Sequence, residues 1–295
     1  MSEGLFPGFA HQKRRANGID VNVRHGGSGP PLLLLHGFPQ THAIWHKAAP
    51  SLAERYTLVM PDLRGYGDSE KPPSEVDHAP YSKRTMALDV LELMRSFGFE
   101  RFYVCGHDRG GRVAHRLAVD HPNAVERVAV LDISPTLTMF AHTDQPFATA
   151  YYHWFFLIQP FDLPERLIGA DPKYYLRNKI GRWSGGLDYF DPRALAEYER
   201  CYSDPATIHA TCEDYRAAAT IDLVHDQADI AGERKVTCPL LALWGDKGVI
   251  NRMFDPLSDW HAVATQVQGQ ALASGHFLAE EAPEETLQEF RAFFT

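Results

Sequence analysis

Phe102-Tyr103-Val104-Cys105-Gly106-His107-Asp108-Arg109-Gly110-Gly111-Arg112 reads as a short apolar strand that runs, with no loop between, into the first turn of a helix. Glycines two before and two after Asp108 allow a tight strand-to-helix turn that pushes this one side chain outward. Similar apolar runs stand on either side: Leu32 to Leu35, Tyr56 to Met60 and Val128 to Leu131. Each has the length of a buried strand in a mostly parallel sheet. Helical stretches such as Lys83 to Phe97 and Gly111 to Asp120 lie between them. The alternation predicts an α/β, doubly wound sheet whose ligands bind beyond the carboxyl ends of the strands.

The alternation stops near Pro135 and resumes at Pro239 with Leu240 to Trp244, then Thr265 to Val267, then a closing helix from Pro283 to Phe294. The stretch between is helical in pattern and rich in aromatic residues, Tyr151-Tyr152-His153-Trp154-Phe155-Phe156 above all. The expected organisation is a core made of residues 1–135 and 238–295, interrupted by a helical cap over 136–237 with an apolar underside. At 295 residues the chain is long enough to bury a large core. A formal charge of −9, with no Lys/Arg-dense stretch against it, argues against nucleic acid or an anionic membrane as partner. The first fifteen residues lack the apolar core of a signal peptide, and no apolar run is long enough to span a bilayer, so the expected location is cytoplasmic. Cys105, Cys201, Cys212 and Cys238 show no CxxC spacing, and neither a disulfide framework nor a metal site is expected.

A carboxylate at Asp108 is a nucleophile of a particular kind. It attacks a saturated carbon in line and leaves an ester, and the helix start behind it favours its ionised form. Aspartate is also a common helix cap, but its place after a buried strand, at the outward corner of the turn, favours the nucleophile. His36-Gly37-Phe38-Pro39 follows the Leu32–Leu35 strand and reads either as a structural Gly-Pro turn or, if Asp108 is the nucleophile of such a strand-turn-helix, as the loop whose Phe38 N–H is expected to bind an oxyanion with the Arg109 N–H. The loop Pro61 to Ser69 is assigned a structural role. His276, in Ser274-Gly275-His276-Phe277, lies between the last expected strand and the final helix, the place for a general base. Two acids are available to orient it: Asp132, at the end of Val128–Leu131, and Asp246, in Trp244-Gly245-Asp246-Lys247-Gly248.

Together these residues resemble the aspartate-nucleophile branch of the α/β-hydrolases, which includes haloalkane dehalogenases, epoxide hydrolases and fluoroacetate dehalogenases. Analogy with relatives whose acid has moved to the earlier strand favours Asp132 over Asp246. In the first two groups tryptophan usually follows the nucleophile, whereas here it is Arg109. The strings His107-Asp108-Arg109-Gly110-Gly111-Arg112, Leu131-Asp132-Ile133, His153-Trp154 and Glu213-Asp214-Tyr215-Arg216 are similar to those of the fluoroacetate dehalogenases. The resemblance implies hydrolytic dehalogenation of fluoroacetate and related 2-haloacids, with a homodimer as the assembly; no metal or organic cofactor is expected, because the nucleophile, base and anion donors account for the chemistry. It implies further that Arg109 and Arg112 bind the substrate carboxylate and that His153, Trp154 and Tyr215 hold the departing halide. The chemistry is consistent: two guanidiniums three residues apart share a helix face, and imidazole, indole and phenol are donors suited to a dry pocket. An epoxide hydrolase would use Tyr215, with Tyr151 or Tyr152, to protonate the ring oxygen, leaving the arginines without purpose. A ligand receptor on a retired scaffold would be expected to lack the nucleophile, base or oxyanion loop.

Overall fold

Two strands precede the alternation. The computed structural model describes residues 2–295, with side chains from residue 4, and opens its sheet with β1 (Ala10–Ala16) and β2 (Ile19–Gly27). They pair antiparallel with Ala16 opposite Ile19, so Asn17 and Gly18 form a two-residue turn, both at positive φ (44° and 77°). Asn-Gly is the pair such a turn selects, because both central residues must enter the left-handed region. β1 (sequence AHQKRRA) is an edge strand, and its basic side chains discourage pairing with another chain.

The remaining strands are β3 (Pro31–Leu35), β4 (Thr57–Pro61), β5 (Phe102–His107), β6 (Val125–Leu131), β7 (Leu240–Gly245) and β8 (Val267–Leu272). They form one eight-stranded sheet in the order β1-β2-β4-β3-β5-β6-β7-β8, antiparallel at the first two pairings and parallel from β4 onward. Leu32 to Leu35 are wholly buried, as a central strand covered on both faces requires. The last strand begins where the expected Thr265–Val267 run ends, because β8 is the other edge. With one face in solvent it alternates half-buried and exposed positions from Val267 to Gln270 and contains no long apolar run.

The order of the sheet makes the site. The chain runs from β3 outward to β4, then crosses back to β5 on the other side of β3, and this switch leaves a crevice at the carboxyl ends of β3 and β5. Leu35 pairs with Gly106, His107 with Leu131, Leu131 with Leu243, and Gly245 with Leu272. The residues that follow β3, β5, β6 and β8 therefore emerge side by side.

Between β6 and β7 every regular element is a helix, from Thr136–Ala141 to Ile221–Ala231. Three of these helices begin with Asp-Pro, namely Pro172–Trp183, Pro192–Tyr202 and Pro205–Ala219. Asp171, Asp191 and Asp204 each accept a first-turn N–H (from Tyr174, Arg193 and Ala206), while proline supplies a preset φ where no donor is needed. Val236, at the far end of this stretch, already makes an isolated bridge to Ala264 beside the sheet. Among the described residues no helix is long and apolar enough to cross a membrane.

Candidate active site

Asp108 stands at φ 48°, ψ −114°, between the end of β5 and the helix Arg109–Asp120. The turn is possible because its flanks are glycine: a Cβ on Gly106 would lie 2.2 Å from Gly110 O, and one on Gly110 2.3 Å from His36 O. The Asp108 side chain does not cap the helix behind it. Its Oδ1 instead accepts from Phe38 N–H at 2.8 Å, across the crevice from β3. The Phe38 loop is tied down through His36, whose Nε2 accepts from Leu63 N–H at 2.9 Å. The loop after β4 is equally fixed, since Asp62 accepts from His42 N–H and Nδ1 and from Asn22 Nδ2.

Oδ2 of Asp108 lies 4.0 Å from His276 Nε2, and His276 Nδ1 donates to Asp132 Oδ2 at 2.6 Å. Asp132, itself at φ 52°, is steadied by Gly245 N–H on its Oδ1 at 2.9 Å. Asp246 is exposed, and its backbone joins β8 through Leu272 O. Since Nδ1 donates to a carboxylate, the lone pair of neutral His276 is on Nε2, which faces Asp108 and has no hydrogen-bond partner. Burial opposes the charged imidazolium, but the hydrogen bond and charge of Asp132, with Asp108 behind, hold the His276 pKa above its ordinary value. Burial also opposes the Asp108 carboxylate. There His276, His107, Arg109 and Arg112 prevail and keep its pKa below the usual range. His107, pushed down to about 3 by burial and by His276, is neutral and donates from Nε2 to His276 O at 2.8 Å.

The two arginines differ. Arg109 is fully buried and spends its charge on Asp214: Nε and Nη2 donate to the two carboxylate oxygens at 2.9 and 2.7 Å, and Nη2 also to Asp214 O at 3.0 Å. Lys83 and the Tyr66 hydroxyl meet the same carboxylate. Only Nη1 of Arg109 is left without a partner. Arg112 is also buried, yet its guanidinium meets neutral groups, with Nη1 donating to Ser134 O and Thr136 Oγ1, and Nη2 to Met139 Sδ. Among the described residues no carboxylate pairs with it, and burial together with the Arg109 charge pulls its pKa down to about 10.

His153 and Trp154 come from the helix Tyr152–Leu157 and Tyr215 from Pro205–Ala219. All three are buried, and His153 Nδ1, Trp154 Nε1 and Tyr215 Oη have no hydrogen-bond partner. Their rings adjoin: His153 is 5.6 Å and Trp154 6.5 Å from Tyr215, between centroids. Phe38 stacks on His153 at 5.9 Å, so these donors sit over the Asp108 turn. Tyr215 covers Arg109 and Trp154 covers Arg112, at 4.3 and 4.8 Å from guanidinium to ring centre. Burial, with Lys179 nearby, keeps His153 well below its ordinary pKa and hence neutral.

The residues that support these side chains carry no signal in the sequence. Asp214 was visible only as part of a string, and nothing in its type or spacing announced a partner for Arg109. Trp183, whose carbonyl accepts His276 N–H at 2.8 Å and whose ring lies 4.5 Å from His153, carried no signal either. The opening beside His276 is a cleft of about 20 Å³ between Trp183, Tyr151, Arg182, Arg252 and the Lys247-Gly248 turn.

A model of the alpha/beta hydrolase fold matches residues 30–283, and the chain belongs to that family. It is 46% identical over 99% of its length to the fluoroacetate dehalogenase of a Burkholderia species, covering 95% of that protein. It is 37% identical to the soluble epoxide hydrolase of Corynebacterium sp. strain C12, with 97% of each chain covered. Among solved structures, a Nostoc sp. PCC 7120 protein of the alpha/beta hydrolase type gives a TM-score of 0.96 at 58% identity, covering 97% of this chain and 98% of that one.

Proposed function

We propose that this hydrolase cleaves the carbon–halogen bond of small 2-haloacids, with fluoroacetate the leading substrate, by way of an ester on Asp108. The observation that carries the reading is Arg112, a buried guanidinium beside the nucleophile with no carboxylate partner among the described residues. A buried charge without a counterion is costly, and a substrate carboxylate relieves that cost. Arg109 Nη1 is the second donor to the carboxylate. Asp108 Oδ2 attacks the carbon bearing the halogen, and the bonding pair leaves with the halide, which His153, Trp154 and Tyr215 receive. His276 Nε2 then takes a proton from water as the water adds to the Asp108 carbonyl carbon, with Asp132 stabilising the imidazolium. The oxyanion forms on Oδ1 at the Phe38 N–H. Its collapse expels the 2-hydroxy acid, which takes its proton from His276.

The similarity to a Burkholderia fluoroacetate dehalogenase favours this reading, while the epoxide hydrolase relative makes epoxide opening the competing outcome. Halide release from fluoro-, chloro- and bromoacetate, set beside neutral haloalkanes and epoxides of matching size, separates them. Turnover of the acids alone is expected, and epoxide opening with no halide from any acid would overturn the proposal.

A further inference from the structure

The loop that carries His276 is held by a carboxylate that the chemistry above does not use. Glu281, in the helix Leu278–Glu281, turns back toward the base. Its Oε2 accepts from Gly275 N–H at 3.0 Å and its Oε1 from Phe277 N–H at 2.9 Å, so the amides on both sides of His276 converge on one side chain. Oε2 also accepts from Gly185 N–H at 2.9 Å. Gly185 belongs to the helical insertion, two residues beyond Trp183, whose carbonyl accepts the N–H of His276 itself. The packing is close enough to demand glycine at 275, where a Cβ would lie 2.5 Å from Trp183 O and 3.0 Å from each Glu281 carboxylate oxygen.

We infer that Glu281 is a positioning residue for the general base, fixing the His276 backbone to the insertion so that Nε2 is held in place for hydrolysis of the Asp108 ester. The division of labour is physical. Asp132 sets the rotation and tautomer of the ring, whereas Glu281 sets the segment from which the ring hangs, and a displacement there moves Nε2 bodily. The Glu281 charge also favours protonated His276, adding to Asp132 and Asp108. Attack of Asp108 on carbon needs no base, so loosening this clamp affects the second half-reaction and spares the first. The inference rests on the ester mechanism proposed above.

Glu281→Gln keeps the size of the side chain but turns an amide NH2 toward N–H donors. With enzyme in excess over chloroacetate, chloride and glycolate are followed separately in a single turnover. Chloride is expected within about twofold of the wild-type rate and glycolate slowed at least about tenfold, with the Asp108 ester accumulating by mass spectrometry. The pH at which glycolate formation is half-maximal is expected to move down, since His276 loses a negative neighbour. Glu281→Asp, which retains the charge on a shorter arm, is expected to recover part of the glycolate rate and to keep the wild-type pH midpoint. Equal slowing of chloride and glycolate in Glu281→Gln, or an unchanged glycolate rate, would overturn the positioning role. Absence of chloride from the wild-type enzyme would instead remove the ester reading, and the inference with it.

Discussion

Arg112 and Arg109 are the same residue type, three positions apart on one helix, and the structure gives them different electrostatic circumstances. Asp214 neutralises Arg109, while Arg112 keeps its charge among a carbonyl, a hydroxyl and a thioether. On this account Arg112 supplies the charge that recognises the acid and Arg109 supplies a directional N–H. Arg112→Leu is expected to lower kcat/KM for haloacetates by at least about 30-fold, the lower end of the roughly 2–5 kcal/mol lost with a buried charged contact. Near-normal kinetics would mean the carboxylate sits elsewhere. The convergence of Asp108, Phe38 and His276 was legible at this scale, the first from its glycine flanks and the others from the elements they follow. The rank of the two arginines was not, because it depends on which helix of the insertion brings a carboxylate, and nothing in the Asp214 neighbourhood encodes that locally.

At the level of elements, the helix Pro205–Ala219 ties the insertion to the core. Its Asp214 joins Lys83 of the helix Lys83–Ser96, Arg109 of the helix behind Asp108, and the Tyr66 hydroxyl. Burial would raise the Asp214 pKa, but Arg109 and Lys83 hold it far below the ordinary range. Asp214→Ala is expected to leave buried Arg109 without a carboxylate and Lys83 with Asp222 alone, at 3.7 Å, and to cost about 3–5 kcal/mol in chemical unfolding. A loss below about 1 kcal/mol would show that water relieves the network. The central strands were readable because burial on both faces leaves continuous apolar runs. The edge strands were not: β1 is charged and β8 alternates, and only the Asn17-Gly18 pair signalled the first hairpin.

Across the whole molecule, one buried acid ties stability to pH. Glu280 is buried against the Tyr198 hydroxyl at 2.6 Å, with Lys47 and His46 at 3.7 and 3.8 Å, and burial raises its pKa to about 8. Between its ordinary value near 4.5 and about 8, the folded state therefore holds a proton that the unfolded chain has lost, and stability falls as pH rises through that window. Glu280→Gln is expected to flatten the decline and to gain about 3–4 kcal/mol over wild type at pH 8 relative to pH 5, as read by urea unfolding. Parallel profiles would place Glu280 as a carboxylate already ionised at pH 5. The helical insertion was legible from its composition, but its grip on the His276 loop through Trp183 and Gly185 was not, because those contacts are made by backbone groups. The central claim, that Asp108 itself attacks carbon, is tested most directly by one turnover of haloacetate in heavy-oxygen water. The label is expected in the Asp108 peptide, with ordinary oxygen in the hydroxyl of the first glycolate formed. Label in that first glycolate, with Asp108 unlabelled, would make the aspartate a base for water and contradict the account.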